Sequence, residues 1–499
     1  MDGTTIPDLL GAKAAAFLGE THRNLIGDQW VDSQSGATME VYDPGAGKVV
    51  TSVAMSGAAD VDAAVAAARA ALETGPWSRM TAQDRGRLIW KLATALGDNS
   101  EELAQLEALD TGRPIFECRL VDVPGSVNML EYMAGWATKI NGETMQLGAP
   151  GQLHAYTERE PVGVVAVIVP WNYPLELAVW RTAPALAAGC TVVIKPAEQT
   201  SLTTIRLGQL IQAVGFPPGV VNIITGLGEE AGAALSAHPD VDAISFTGST
   251  DTGKAVVHAA TGNLKRVFLE LGGKSPMIVL ADADIDSAIP GVAGSIFFSS
   301  GQVCTAGSRL FVDERVFDRV VEGVAAYARG LKIGHGLDPT TQLGPLVSDV
   351  QLERVLGYLA AGRSDGAHYV TGGARLGEGG YFIEPTVVIG ASAQSSIYRE
   401  EVFGPVLCAT PFKGDDLDSV VAAANDTVYG LHASVWTQNL KNAHQLARRL
   451  KAGNVCINTH NFFDPAFPMG GYKQSGWGRA AGFAAIEHYT EVKGIVARL

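Results

Sequence analysis

An α/β fold built on a parallel sheet covered by helices on both faces is what this sequence predicts, and three observations carry the prediction. Four short, β-branched, nearly continuous apolar runs follow one another: VGVVAVIVP (162–170), CTVVIKP (190–196), VVNIIT (220–225) and DAISFTG (242–248). Helix-compatible segments such as ELAVWRTAPALAAG and LTTIRLGQLIQAVG separate them. Turns rich in glycine or proline close the runs, among them PWNYP (170–174), GLGEEA (226–231) and FTGSTDTG (246–253). Strands that are apolar throughout are buried on both faces, and their alternation with helices implies parallel crossovers. Ligands bind such sheets beyond the carboxyl ends of the strands, so the loops after these runs are where chemistry is expected.

The other elements follow in chain order. Residues 24–53 alternate apolar and polar positions between Gly, Asp and Pro turns, which predicts a β-hairpin arm. From Gly57 to about Ile140 the period turns helical, as in DVDAAVAAARAALE. A polar, strand-like insert, GETMQLGAPGQLHAYTERE, occupies 142–160. After the four runs, a second alternating strand and helix region extends from about Leu271 to Gly471. The tail IEHYTEVKGIVARL (486–499) ends in an apolar strand with no partner nearby in sequence, one that could complete a sheet with another subunit.

Composition narrows the function. A chain of 499 residues, 47% hydrophobic and 18% charged, suits a soluble globular protein of two or three domains with sizeable cores. A formal net charge of −15 argues against a general binder of nucleic acid or anionic membranes. No apolar run is long enough to span a bilayer, and MDGTTIPDLLGAK lacks the basic start and apolar middle of a secretory signal. The five cysteines (118, 190, 304, 408 and 456) are odd in number, widely spread and without metal-site spacing. Reduced thiols, a cytoplasmic location and no metal site are the expectation.

One of those cysteines is unusual. Cys304 lies in SSGQVCTAGSR, a small, polar, turn-prone stretch rather than the apolar setting of most buried thiols. Two prolines and two aromatics fix Asn172 in PWNYP, where its amide could face a developing oxyanion or simply make an Asx turn. Glu270 sits in the apolar strand FLELGGKSP, as a base of raised pKa or as half of a buried ion pair. Ser249, at a helix start after a strand, suits a phosphate or a plain N-cap. Glu198, after TVVIK, suits ribose hydroxyls or a solvated loop. GLGEEA matches a dinucleotide fingerprint, yet such glycines also merely permit a tight turn.

The chain resembles the aldehyde dehydrogenase superfamily, of the hydrolytic NAD(P)-dependent type, over nearly its whole length. The landmarks are PWNYP, KPAEQT, FTGST, LELGGKSP, GQVCTAGSR, EEVFGPV, GNVCIN and PMGGYKQSGWGR, in that order. The resemblance implies a Rossmann-like parallel-sheet cofactor domain (1–141 and 161–270) and an α/β catalytic domain (271–471). It also implies a small β oligomerisation segment (142–160 and 486–499), hence a homo-oligomer, dimer or tetramer. Cys304 would be the nucleophile, Glu270 the general base, and Asn172 with the Cys304 backbone N–H the oxyanion hole. NAD, with NADP possible, would be held by Lys195 and Glu198 at the adenosine ribose, Ser249 and Trp171 near the pyrophosphate and Gly228 beside the adenine. Glu401 with Phe403 would hold the nicotinamide ribose, with Gln351, Ile168 and Leu271 also against the cofactor. Catalysis of this kind asks the site to lower the thiol pKa. Many relatives carry Lys where this chain has Arg181 and Glu where it has Ala480, groups that would assist proton movement around the base and that this chain lacks.

The substrate tunnel implied by the resemblance is lined by Tyr173, Leu177, Trp180, Phe298, Val303, Phe463, Phe467 and Met469. Such a wall suits an aromatic or medium-chain aldehyde. The second reading is an aminoaldehyde or betaine aldehyde caged by the rings, with Glu176 or Asp464 helping; a third is that the rings are core. Transfer of the acyl group to coenzyme A, as in CoA-acylating semialdehyde dehydrogenases, is disfavoured by Glu270. A non-enzymatic role is disfavoured by intact Cys304, Asn172 and Glu270, and a cysteine protease by the lack of a paired histidine.

Overall fold

The computed structural model describes residues 9–499. Its first large sheet has eight strands, and five central ones run parallel in the spatial order Arg266–Glu270, Ala243–Thr247, Val164–Ile168, Thr191–Lys195, Val221–Ile223. Val164–Ile168 and Thr191–Lys195 are buried at every position, each such Val or Ile contributing about 1.5–3 kcal/mol. Strand order reverses at Val164–Ile168, which neighbours both Ala243–Thr247 and Thr191–Lys195. The loops PWNYP and FTGST therefore leave from adjacent strands on either side of a crevice, where such sheets take ligands.

The arm at 24–53 is two hairpins. Asn24–Ile26 and Gln29–Val31 turn at Gly27 (φ +66°) and extend the edge of the large sheet. Thr38–Asp43 and Lys48–Ala54 make a separate two-stranded ribbon.

The second sheet has seven strands, six of them parallel, with Pro276–Val279 between Arg309–Asp313 and His432–Trp436. Only residues 271–275 join Glu270, at the carboxyl end of a strand in one sheet, to Pro276, which opens a strand of the other. That short link sets the carboxyl edge of the first sheet against the amino edge of the second. The Cys304 loop, which feeds Arg309–Asp313, is at that junction.

The tail finds its partner in its own chain. Thr490–Arg498 pairs antiparallel with Leu153–Pro161 over nine residues, and Thr144–Met145 adds a third strand. Completion by another subunit is thus not needed for this ladder; the partner was hidden by the more than three hundred residues between the two segments. Among the described residues no helix is long and apolar enough to cross a membrane.

Candidate active site

Backbone packing brings the sequence-distant loops together. A Cβ on Gly273 would collide with the Cys304 carbonyl oxygen, and one on Gly301 with the carbonyl of Gly404. The LGGK bend, the cysteine loop and the EEVFGPV loop are therefore in backbone contact. Just before the cysteine, Ser299, Ser300 and Gly301 are all left-handed (φ 50°, 54° and 71°), a strained run for the two serines. Their partners hold them there: Ser299 N and Oγ donate to Glu117 at 3.0 and 2.7 Å, and Ser300 Oγ donates to Gly344 O at 2.8 Å.

Asn172, in the loop leaving Val164–Ile168, is buried, and its Nδ2 donates to Gln302 O at 2.9 Å. That ties the asparagine to the loop of Cys304. An amide nitrogen carries two hydrogens, so one is left for a ligand oxygen. Beneath it, Arg113 Nη1 donates to Asp122 Oδ1 at 2.5 Å and to Asn172 O at 3.3 Å, while Arg113 Nε donates to Ser299 Oγ at 2.9 Å. This buried arginine braces both loops, and sequence reasoning missed it.

Cys304 is partly buried, and its thiol is pushed up to about 12 by burial and by the carboxylates Glu401 and Glu270. Arg181 and the cysteine's own backbone N–H act in the opposite sense. In this cavity the desolvation of the wall and two acidic neighbours outweigh one guanidinium, opposite in sense to the lowered thiol that catalysis asks for. Glu270 is buried and raised to about 7 by desolvation, against the pull of Arg181 and Arg479. Its Oε2 has no hydrogen-bond partner. A carboxyl with that pKa is poised to gain or lose a proton near neutrality. Glu270 faces a small chamber that shares Trp180 and Arg181 with the larger cavity holding Cys304 and Asn172.

The residues expected at a dinucleotide lie along the crevice. Lys195 is buried, its Nζ donating to Pro196 O at 2.9 Å and 3.6 Å from Glu198 Oε2, and desolvation lowers its pKa. Ser249 is the N-cap of Thr250–Ala260, accepting from Thr252 N at 3.2 Å, so the cap and an anion-ready helix start coincide. Gly228 opens a wide turn, Gly228–Gly232, with free space where its Cβ would be. Ile168 ends its strand, and Leu271 packs over Gly253. The Trp171 and Phe403 rings meet edge-to-face at 5.1 Å, with Phe403 left-handed at φ 57°. Gln351 Nε2 donates to Phe403 O at 2.7 Å, so its amide holds that loop. Glu401 Oε1 accepts from Gly273 N at 2.8 Å, and burial raises its pKa to about 7. A Cβ on Gly272 would collide with the Glu401 carboxyl. The Glu401 carboxyl, a buried lysine beside the part-exposed Glu198, and the Ser249-capped helix start fit two diol-bearing riboses and a pyrophosphate. Among the described residues no group of three or more His, Cys, Asp or Glu is gathered to hold a metal ion.

The larger cavity holds about 500 Å³. Tyr173, Leu177, Trp180, Phe298, Val303, Phe463 and Met469 line it with Cys304 and Asn172. Phe467 does not: it is half exposed and packs edge-to-face on Phe462 at 6.4 Å. Asp464 is also outside, its Oδ1 capping Ala466 N, whereas Glu176 is on the wall. Val121, Trp436 and His460 are lining residues that sequence reasoning missed. His460 Nε2 donates to Thr305 O at 2.9 Å and Nδ1 accepts from Ser434 Oγ at 2.8 Å; burial lowers it to about 4, so the ring is neutral.

Comparison with known proteins agrees with this architecture. The profile of the aldehyde dehydrogenase family matches residues 30–495. Phenylacetaldehyde dehydrogenase of Pseudomonas fluorescens is 46% identical over 95% of this chain and 95% of its own. The mitochondrial benzaldehyde dehydrogenase of Antirrhinum majus is 45% identical over 95% of this chain and 88% of its own. The NAD+ complex of an aldehyde dehydrogenase from Bacillus cereus superposes with a TM-score of 0.96 at 46% identity, covering 98% of this chain and 99% of that one. With its crevice, its loops and these relatives in agreement, the chain belongs to the aldehyde dehydrogenase family, enzymes that oxidise aldehydes with NAD.

Proposed function

We propose that this protein oxidises an aromatic or medium-chain aldehyde to its carboxylic acid, with Cys304 as nucleophile, Asn172 and the Cys304 backbone N–H as oxyanion donors, and Glu270 as general base. The observation that carries this reading is the shared cavity of Cys304 and Asn172, aromatic-walled and adjoining the buried Glu270. Relatives that act on phenylacetaldehyde and benzaldehyde support an aromatic substrate.

In this mechanism the Cys304 thiol gives its proton to water as the sulfur bonds to the aldehyde carbon, giving a thiohemiacetal oxyanion. Asn172 Nδ2 and the Cys304 N–H stabilise its oxygen, each such donor contributing about 2.7–4 kcal/mol. A bound nicotinamide dinucleotide supplies hydride acceptance. Lys195 and Glu198 would hold its adenosine ribose, Ser249 and Trp171 its pyrophosphate, Gly228 its adenine, and Glu401 its other ribose. Ile168, Leu271, Gln351 and Phe403 would complete the crevice around it. Loss of the carbon's hydrogen as hydride leaves a thioester; Glu270 then takes a proton from water, which attacks the thioester, the C–S bond breaks, acid leaves and Glu270 returns a proton to the sulfur.

An aldehyde panel with NAD+, with and without coenzyme A, tests this by NADH absorbance. Acid formed without coenzyme A supports the reading; strict dependence on coenzyme A, or no turnover of any aldehyde, overturns it.

Glu198, which would hydrogen-bond a ribose diol, repels a 2′-phosphate. NAD+ is therefore the favoured cofactor. Glu198→Ala is expected to shift the ratio of kcat/KM for NADP+ against NAD+ about tenfold towards NADP+; an unmoved ratio removes Glu198 from that role. We further propose a cytoplasmic homo-oligomer, dimer or tetramer, joined through 142–160 and 486–499. The five free cysteines suit a reducing compartment, and Met145, Val492 and Val496 leave apolar surface exposed on the three-stranded sheet. Light scattering is expected to return a multiple of the 52.2 kDa chain, and a monomeric mass refutes the assembly.

A further inference from the structure

The oxidation described above has no use for one carboxyl on the cavity wall. Glu176 stands in the first turn of Pro174–Ala188, four residues past Asn172, and lines the cavity with Leu177, Trp180 and Val121. Its surroundings are otherwise mostly apolar, so the group is costly to keep there without a partner. Among the described residues no protein donor hydrogen-bonds it: the adjacent Arg113 serves Asp122, Ser299 and the Asn172 carbonyl instead. Room for it is nonetheless built in, because a Cβ on Gly125, in the facing helix Val123–Trp136, would collide with Glu176 Oε1.

Burial, and then the charge of Asp122, raise the Glu176 pKa well above the usual carboxyl range, while Arg113 opposes them. The acid form that burial favours has one O–H to donate and a carbonyl to accept. An ammonium would require Glu176 to ionise beside Asp122 and would share the cavity with the cation Arg181. A neutral hydroxyl meets both halves of the acid without moving any charge.

We propose that Glu176 is a substrate-binding residue that selects hydroxyl-bearing aryl aldehydes over their unsubstituted counterparts. The proposal rests on the cavity being the aldehyde site. Its test compares kcat/KM, by NADH absorbance with NAD+, for phenylacetaldehyde and its 2-, 3- and 4-hydroxy derivatives. At least one hydroxy isomer is expected to exceed the parent about tenfold, the yield of one net hydrogen bond. Glu176→Leu is expected to erase that preference, and Glu176→Gln, which keeps a donor and an acceptor, to retain part of it. In the wild type, the methyl ether of the preferred isomer is expected to lose the advantage, which keeps the test independent of how the variants fold. No preference, one that survives Glu176→Leu, or one that survives methylation overturns the proposal. So does a preference for 3-aminopropanal over propanal that Glu176→Leu abolishes, since that marks an ammonium subsite. Failure of the wild type to oxidise any of these aldehydes removes the aldehyde-site reading itself, a distinct result.

Discussion

Cys304→Ala is expected to abolish NADH formation from every aldehyde while NAD+ binding stays near that of the wild type. The substitution removes one sulfur and little else. The backbone N–H of residue 304 remains, and so do the Gly273 contact on its carbonyl and the strained serines before it. What is lost is the atom that carries the acyl group, without which no thiohemiacetal can present its hydrogen as hydride. Removing a covalent nucleophile costs many powers of ten in turnover, so a fall of at least about 10³-fold is expected. Absorbance at saturating aldehyde and a fluorescence titration with NAD+ measure the two quantities separately. Residual turnover above a few per cent of the wild type contradicts the nucleophile assignment.

Glu270→Gln separates the two halves of the reaction. Steady-state turnover is expected to fall by roughly 10²–10⁴-fold, the range for a lost general base. The first turnover of NADH, close to one equivalent per site, is expected to survive, because hydride leaves before water attacks. Rapid mixing resolves that burst from the slow phase. The wild-type pH profile adds a second reading. With Glu270 raised to about 7, the basic form dominates above that pH and the acid form below it. Deacylation should therefore rise with pH through about 7, and the glutamine variant should lose that limb. Loss of the burst itself would assign Glu270 to deprotonating the thiol, a role given some weight by how high burial and two carboxylates hold Cys304.

Much of this was legible in the chain because the informative signals were local. The apolar runs became buried parallel strands, and PWNYP, LELGGKSP and GQVCTAGSR each carried their residue in a short fixed setting. What escaped reading depended on contacts between distant segments. Arg113 and Ser299 are 186 positions apart, and nothing near either one signals that an arginine braces the cysteine loop. The tail strand showed its apolar pattern but not its partner at 153–161. Phe467 matched the expected aromatic lining, yet its ring turns to Phe462, a choice made by loop geometry rather than residue type. The thiol's surroundings escaped reading for a related reason: Cys304 is flanked by small polar residues in sequence, whereas folding surrounds it with desolvating walls and acidic neighbours.

The main-chain collisions that forbid a side chain at Gly273 and Gly301 have a practical meaning for redesign. They lock the reactive loops as one casting, while Leu177, Phe298 and Phe463 are separate tiles on the chamber's inner surface. An engineer seeking a new aldehyde can exchange tiles freely and should leave the casting alone.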